Sequence, residues 1–142
     1  MACPYFIPEH RCDAELWQHR ARLPLGDGFV GFCCAQEKPY QPTQDQLREL
    51  CNIGYAKSCP RLPHDRDADS VRFMGRTSDG FVAIKYLLER GHAPVSDGEL
   101  RYDPATARWS TPHPDERVQK KAQCYLESYL ARHPAAKATT AK

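Results

Sequence analysis

Val71-Arg72-Phe73-Met74-Gly75-Arg76, then Thr77-Ser78-Asp79-Gly80, then Phe81-Val82-Ala83-Ile84-Lys85-Tyr86-Leu87-Leu88-Glu89 is the stretch that decides the fold. Val71, Phe73 and Gly75 alternate with Arg72, Met74 and Arg76, which is the two-residue period of a half-buried strand. Ser78-Asp79-Gly80 is a hairpin signal, because a two-residue turn needs positive φ at positions that Asp and Gly tolerate. Val82, Ile84, Tyr86 and Leu88 carry the alternation on, so a second strand is expected over Phe81–Glu89. Arg90-Gly91-His92-Ala93-Pro94 reads as the next turn, and Gly98 to Tyr102 as a third strand. Asp103-Pro104-Ala105-Thr106-Ala107 makes another turn, followed by Arg108-Trp109-Ser110 as a short fourth strand. Successive antiparallel strands of this kind form a meander.

Downstream, Thr111-Pro112-His113-Pro114-Asp115 leads into a helix expected over 115–132. Val118, Ala122, Tyr125, Leu126, Tyr129 and Leu130 share one face of it, and that face should cover the sheet. Cys124 stands apart from the other cysteines and reads as a small core or surface residue. Arg117, Lys120 and Lys121 read as a solvated helix face rather than a nucleic-acid stripe. The tail at 135–142, rich in Ala, Thr and Lys, is expected to be flexible.

Upstream, residues 1–42 read as irregular. Cys3-Pro4-Tyr5-Phe6-Ile7-Pro8 is extended between two prolines. Asp13 caps a short helix anchored by Trp17, and Phe29-Val30-Gly31-Phe32-Cys33-Cys34-Ala35 is a short apolar run, a strand candidate. Thr43 to Leu50 reads as a helix, with Thr43 and Gln46 as a capping box. Leu47, Leu50 and Cys51 lie on its inner face. Gly54 ends it, and Pro60 and Pro63 keep Cys59 from starting another. The chain of 142 residues is therefore expected to be one metal-stapled α+β domain over 1–134. An irregular, cysteine-rich N-terminal half packs on a three- or four-stranded antiparallel meander, and the C-terminal helix covers it.

The chemistry lies in the cysteines. Six of the seven fall within the first 59 residues, and an odd count does not suit a simple disulfide framework. Met1-Ala2-Cys3-Pro4-Tyr5 lacks the basic start and apolar run of a secretory leader, and no stretch approaches a membrane span. A cytoplasmic location is expected, where clustered cysteines bind metal more often than they pair. Cys51 and Cys59 flank the helix end and are the strongest ligand candidates. Cys3 follows, because Cys3-Pro4 repeats the Cys59-Pro60 dipeptide and proline after a ligating cysteine is frequent in iron–sulfur proteins. Cys33 and Cys34 must face opposite ways; Cys33 is favoured because Gly31 lets backbone approach on its side. Cys12 is left as the spare.

The spacings of 29, 17 and 7 intervening residues do not make the paired short knuckles of structural zinc sites. A wider group such as a [4Fe–4S] cluster tolerates scattered ligands better. Zinc is the alternative, and free thiols the reading without a metal. No His-Glu-x-x-His, phosphate loop or Gly-x-Ser-x-Gly elbow is present. His64 reads as an exposed loop histidine. Asp65, Asp67 and Asp69 lack the glycine and distal glutamate of a calcium loop.

These residues resemble a family of small cysteine-rich bacterial proteins. The match runs through Cys-Pro-Tyr-Phe (Cys3 to Phe6), Gly-x-Cys-x-Ala (Gly31 to Ala35) and Cys-Asn-x-Gly-Tyr-Ala with Cys-x-Arg-x-Pro (Cys51 to Pro63). It continues in Ala-Asp-x-Val-Arg-Phe (Ala68 to Phe73), the Leu88-Glu89-Arg90 turn and the Tyr-rich last helix. The resemblance supports Cys3, Cys33, Cys51 and Cys59 as ligands, leaves Cys12, Cys34 and Cys124 as extras, and implies no activity. The resulting expectation is a small [4Fe–4S] protein, not itself an enzyme, that passes electrons to a redox partner protein or serves a larger complex. The alternative is a zinc-stapled interaction module binding a protein or a nucleic acid. The net charge of +2 is too small to decide partners, and with no basic block beyond Arg117, Lys120 and Lys121 a nucleic acid is the less expected of the two.

Overall fold

The computed structural model describes residues 2–12, 20–53 and 59–133. In chain order its elements are β1 (Phe6–Arg11), a 3-10 turn (Arg20–Arg22), β2 (Phe29–Cys33) and α1 (Gln44–Gln46), which runs on as a π-helical turn (Leu47–Cys51). There follow β3 (Ser70–Ser78), β4 (Phe81–Arg90), β5 (Ala93–Asp103), β6 (Arg108–Thr111) and α2 (Glu116–Arg132). Strands β3 to β6 form a four-stranded antiparallel sheet in sequence order, and β1 and β2 form a separate pair. The protein is α+β, with the meander and the covering helix that the alternation implied.

Each tight turn of the meander is made by positive-φ residues. Asp79 (φ 49°) and Gly80 (φ 82°) join β3 to β4, setting Ser78 opposite Phe81. Gly91 (φ 56°) and His92 (φ 67°) join β4 to β5 in the same way. Because His92 accepts the left-handed conformation, β5 starts at Ala93 and not at Gly98 as the alternation implied. Pro94 is accommodated where the register shifts, opposite Glu89, so its missing N–H interrupts a ladder that is already irregular.

Val82, Ile84 and Leu100 pack against Ala122 and Leu126 of α2, with Tyr125, Tyr129 and Trp109 around them. The helix comes so close to β3 that a Cβ on Gly75 would stand 2.7 Å from the Tyr129 ring. Gly75 N–H also donates to the Tyr125 hydroxyl at 3.1 Å. Asp115 is the N-cap of α2, its carboxylate accepting from Arg117 N–H.

The N-terminal half is more regular than its composition implied. β1 and β2 pair antiparallel, with Phe6 opposite Cys33 and Pro8 opposite Gly31, and a register shift follows between Pro8 and His10. A Cβ on Gly31 would lie 1.9 Å from Ile7 O, so glycine is what allows the two backbones to meet there. Ala2 exchanges two backbone hydrogen bonds with Val71 (2.7 and 2.8 Å), which covers part of the free edge of β3. Phe6, Leu25, Phe29, Leu47 and Val71 form the core of this half with Cys124 of α2. Phe73 packs against both cores and makes the interior continuous.

The solvated-face reading of α2 is corrected at one position. Lys120 is exposed and Arg117 half-buried, but Lys121 is 0% exposed. Lys121 follows Val118 and Arg117 by three and four residues, so it lies on the turn of the helix that faces the N-terminal segment. The helix capped by Asp13, the Gly54 terminus and the 135–142 tail lie outside the described residues.

Candidate metal centre

Four separate pieces of backbone deliver the cysteines. Cys3 opens a turn closed by Phe6 N–H on Cys3 O (3.2 Å), and its own N–H donates to Cys51 O at 3.1 Å. Cys33 is the last residue of β2 and exchanges backbone hydrogen bonds of 2.8 and 3.0 Å with Tyr40. Cys51 ends the helix begun by the Thr43–Gln46 capping box, which forms as expected. Cys59 begins a turn in which Leu62 N–H donates to Cys59 O (3.2 Å). Cys3, Cys33 and Cys51 are buried, while Cys59 is half-buried.

The residue that binds these pieces together is Asn52, for which sequence reading assigned no role. It is 0% exposed. Its amide pairs with the Phe29 backbone in both directions, accepting from Phe29 N at 3.0 Å and donating to Phe29 O at 3.1 Å. It also donates to Leu47 O at 2.8 Å, and Asn52 N–H reaches the same oxygen at 3.1 Å. That five-residue reach is the π turn, a feature often found at functional sites. One side chain thus ties the strand carrying Cys33 to the helix carrying Cys51. The only available sequence signal was the placement of an amide, a group that readily hydrogen-bonds backbone, directly after a helical cysteine.

The thiols share one electrostatic environment. Burial raises the Cys51 pKa most, and the nearby Cys3, Cys33 and Cys59 raise it further. Burial pushes Cys3 up to about 11, against the opposing pull of backbone N–H groups of Tyr5 and Phe6 and of Lys121, while Cys33 adds to the rise. Cys33 Sγ accepts from Ala35 N–H at 3.4 Å. Amide donors aimed at sulfur suit a thiolate better than a thiol. Burial thus disfavours the thiolate at Cys3 and Cys51; a bound cation reverses that, since metal binding deprotonates its thiol ligands.

Cys34, Cys12 and Cys124 stand elsewhere. The Cys34 thiol donates to Tyr5 O at 3.2 Å. Cys12 is buried at the end of β1, its N–H on Gly28 O, and Cys124 belongs to the apolar core.

The cleft between Cys33, Cys51 and Cys59 is lined also by Tyr40, Gln46 and Arg61 and has a volume of about 20 Å³. The Arg61 guanidinium lies over the Tyr40 ring at 3.9 Å, and Tyr40 donates to Gln46 at 2.8 Å. Among the described residues, no three His, Cys, Asp or Glu side chains gather tightly enough to hold one metal ion. Cys33, Cys51 and Cys59 line this cleft, and Cys3 does not, though its N–H is bonded to Cys51 O.

The Lys121 ammonium donates to Pro4 O (2.6 Å) and Arg117 O (3.1 Å). Burial lowers its pKa to about 8, and the neighbouring Cys3 and Cys34 act against that fall. Arg117 lies over the Tyr5 ring at 4.9 Å.

Other features carry no comparable chemistry. A hollow of about 500 Å³ between β1 and α2 includes His10, Asp27 and Cys124, but burial pushes the Cys124 thiol up to about 11, the reverse of what a nucleophile needs. His64, Asp65 and Asp67 are exposed, while Asp69 is buried and accepts from Gly91 N–H at 2.9 Å, a structural part in the β4–β5 turn. No helix among the described residues is long and apolar enough to cross a membrane. Comparison of the chain with protein-family models, with curated proteins and with solved structures finds no match.

Proposed function

We propose that Cys3, Cys33, Cys51 and Cys59 hold an iron–sulfur cluster of the [4Fe–4S] type and that the protein carries or relays electrons. The observation that carries this reading is that Cys33, Cys51 and Cys59 line one cleft while the Cys3 N–H donates to Cys51 O at 3.1 Å. The donor set fits the group: four soft sulfurs from four segments, amide donors on two of them, and a buried ammonium close by. When bound, the cluster would supply reversible one-electron chemistry. The chain's own contribution is to bury three thiolates away from water and leave Cys59 near the surface, where an electron can enter or leave. A redox partner protein or a larger assembly follows from that role.

Zinc is the second reading, favoured by the small cleft, since about 20 Å³ is room for one water or ion. The protein would then be a metal-stapled interaction module. Purification without oxygen separates the two. The iron–sulfur reading expects brown protein with iron and acid-labile sulfide in equal amount and a reversible redox couple. Colourless protein with one zinc per chain would overturn it and support the module. Protein that binds neither metal would overturn both.

A further inference from the structure

Among the described charged side chains only Lys121 is fully buried. The other buried charges have partners of opposite sign: Asp27 faces Arg20, Asp69 faces Arg66 and Glu89 faces Arg72. Among the described residues Lys121 has none of that kind, and its hydrogen bonds to Pro4 and Arg117 both go to backbone carbonyl oxygens. Carbonyls solvate an ammonium without neutralising it, and a buried charge left uncompensated is strongly destabilising. The groups that favour the charged form of Lys121 are Cys3 and Cys34 first, with Asp115 a lesser influence and Arg117 opposing. Cys3 is the one of these that the metal reading turns into a fixed thiolate.

The same ammonium is also a mechanical post. Pro4 O belongs to the turn from Cys3 to Phe6, which Phe6 N–H closes on Cys3 O at 3.2 Å. Holding Pro4 O at 2.6 Å fixes the peptide plane that directly follows the Cys3-Pro4 pair. Lys121 reaches it from across 117 residues of chain.

We propose that Lys121 is the built-in counter-charge and positioning residue of the thiolate centre, holding the Cys3 turn through Pro4 O and setting positive charge beside its sulfur. This rests on the metal reading above. A fixed positive charge favours the more negatively charged, reduced state of a cluster and so raises its reduction potential. It also opposes loss of the metal, as groups that orient ligands do, by about 10- to 100-fold.

The test uses the full chain purified without oxygen, as wild type, Lys121→Gln, Lys121→Met and Lys121→Arg. Gln keeps a donor for Pro4 O and drops the charge; Met drops both; Arg keeps the charge. Both neutral variants should be reduced at a more negative potential than wild type, and Met should release metal to a chelator about 10- to 100-fold faster. Arg should restore the potential most of the way. Neutral variants that keep the wild-type potential and release rate would overturn the proposal while the metal reading stands. With zinc bound, the release rates decide by the same comparison. Wild-type protein that takes up no metal overturns both. Should both neutral variants be insoluble, wild type decides through amine-reactive labelling of Lys121. Labelling that rises when metal is chelated supports the thiolate counter-charge, and labelling that does not change overturns it.

Discussion

Asn52 and Gly31 show how much of the candidate centre depends on single side chains with no metal-binding chemistry of their own. Replacing Asn52 by alanine removes its amide's bonds to Phe29 N, Phe29 O and Leu47 O together. It strands the Phe29 backbone groups in the interior, where each unpaired group costs about 1–3 kcal/mol. A loss of roughly 3–5 kcal/mol in a denaturant titration is expected, with metal content falling in parallel. Unchanged stability would mean that the β2–helix tie has no weight. Gly31→Ala puts a methyl against Ile7 O and should separate β1 from β2, which insoluble or metal-free protein would report. Among the cysteines, Cys51→Ser exchanges a soft thiolate for a hydroxyl and should lose metal, whereas Cys124→Ser should keep it. The latter is placed in an apolar core and should cost only about 1–2 kcal/mol for a buried hydroxyl. Gly31 was legible as a close approach of backbone because glycine next to a cysteine run has few other uses. Asn52 was not, because an asparagine looks the same in sequence whether its amide faces water or a strand 23 residues away.

At the scale of elements, α2 connects the two cores, and its N-terminus carries a pH-sensitive contact. Asp115 N–H donates to His113 Nδ1 at 2.9 Å, so that nitrogen must be unprotonated. The ring also meets the edge of Tyr86, with centroids 4.7 Å apart. Burial lowers the His113 pKa below its ordinary 6.5, with Asp115 opposing the fall only in part. In the unfolded chain the ring protonates first as pH drops. Its contribution to stability is therefore complete above the unfolded value and is lost as pH falls from there through the folded one. Wild type should be less stable at about pH 5 than at about pH 7.5, and His113→Gln should show a smaller difference. An equal pH dependence in both would remove His113 from the account. Deleting residues 115–132 should uncover Val82, Ile84 and Leu100 and give insoluble protein; a soluble, folded truncation would contradict the role of α2 as the sheet's cover. Within that helix, Leu126→Ala should cost about 2–5 kcal/mol.

For the whole molecule the metal reading makes a directional claim about where stability is held. The meander and α2 own a core of Val82, Ile84, Leu100, Ala122 and Leu126, none of them a cysteine. The N-terminal half has a core that includes Cys3 and Cys51 themselves. Stripping the metal should therefore raise amide hydrogen exchange at Tyr5, Phe6, Phe29 and Asn52 far more than at Ile84 or Leu100, since binding free energy is folding free energy where the ligands sit. A uniform rise, or none, would argue against a staple. What the amino-acid order determined by itself was local in origin: the period-two alternation of β3 and β4, the Asp79-Gly80 turn, the Thr43–Gln46 capping box and the apolar face of α2. Each is settled by residues within a few positions of one another, so each could be read without coordinates. The β1–β2 pairing, the bridge made by Asn52 and the burial of Lys121 against the Cys3 turn were decided only by the tertiary structure. These contacts join segments far apart in the chain, and a lysine on a helix or an asparagine after a cysteine carries no local mark of which distant backbone it will meet.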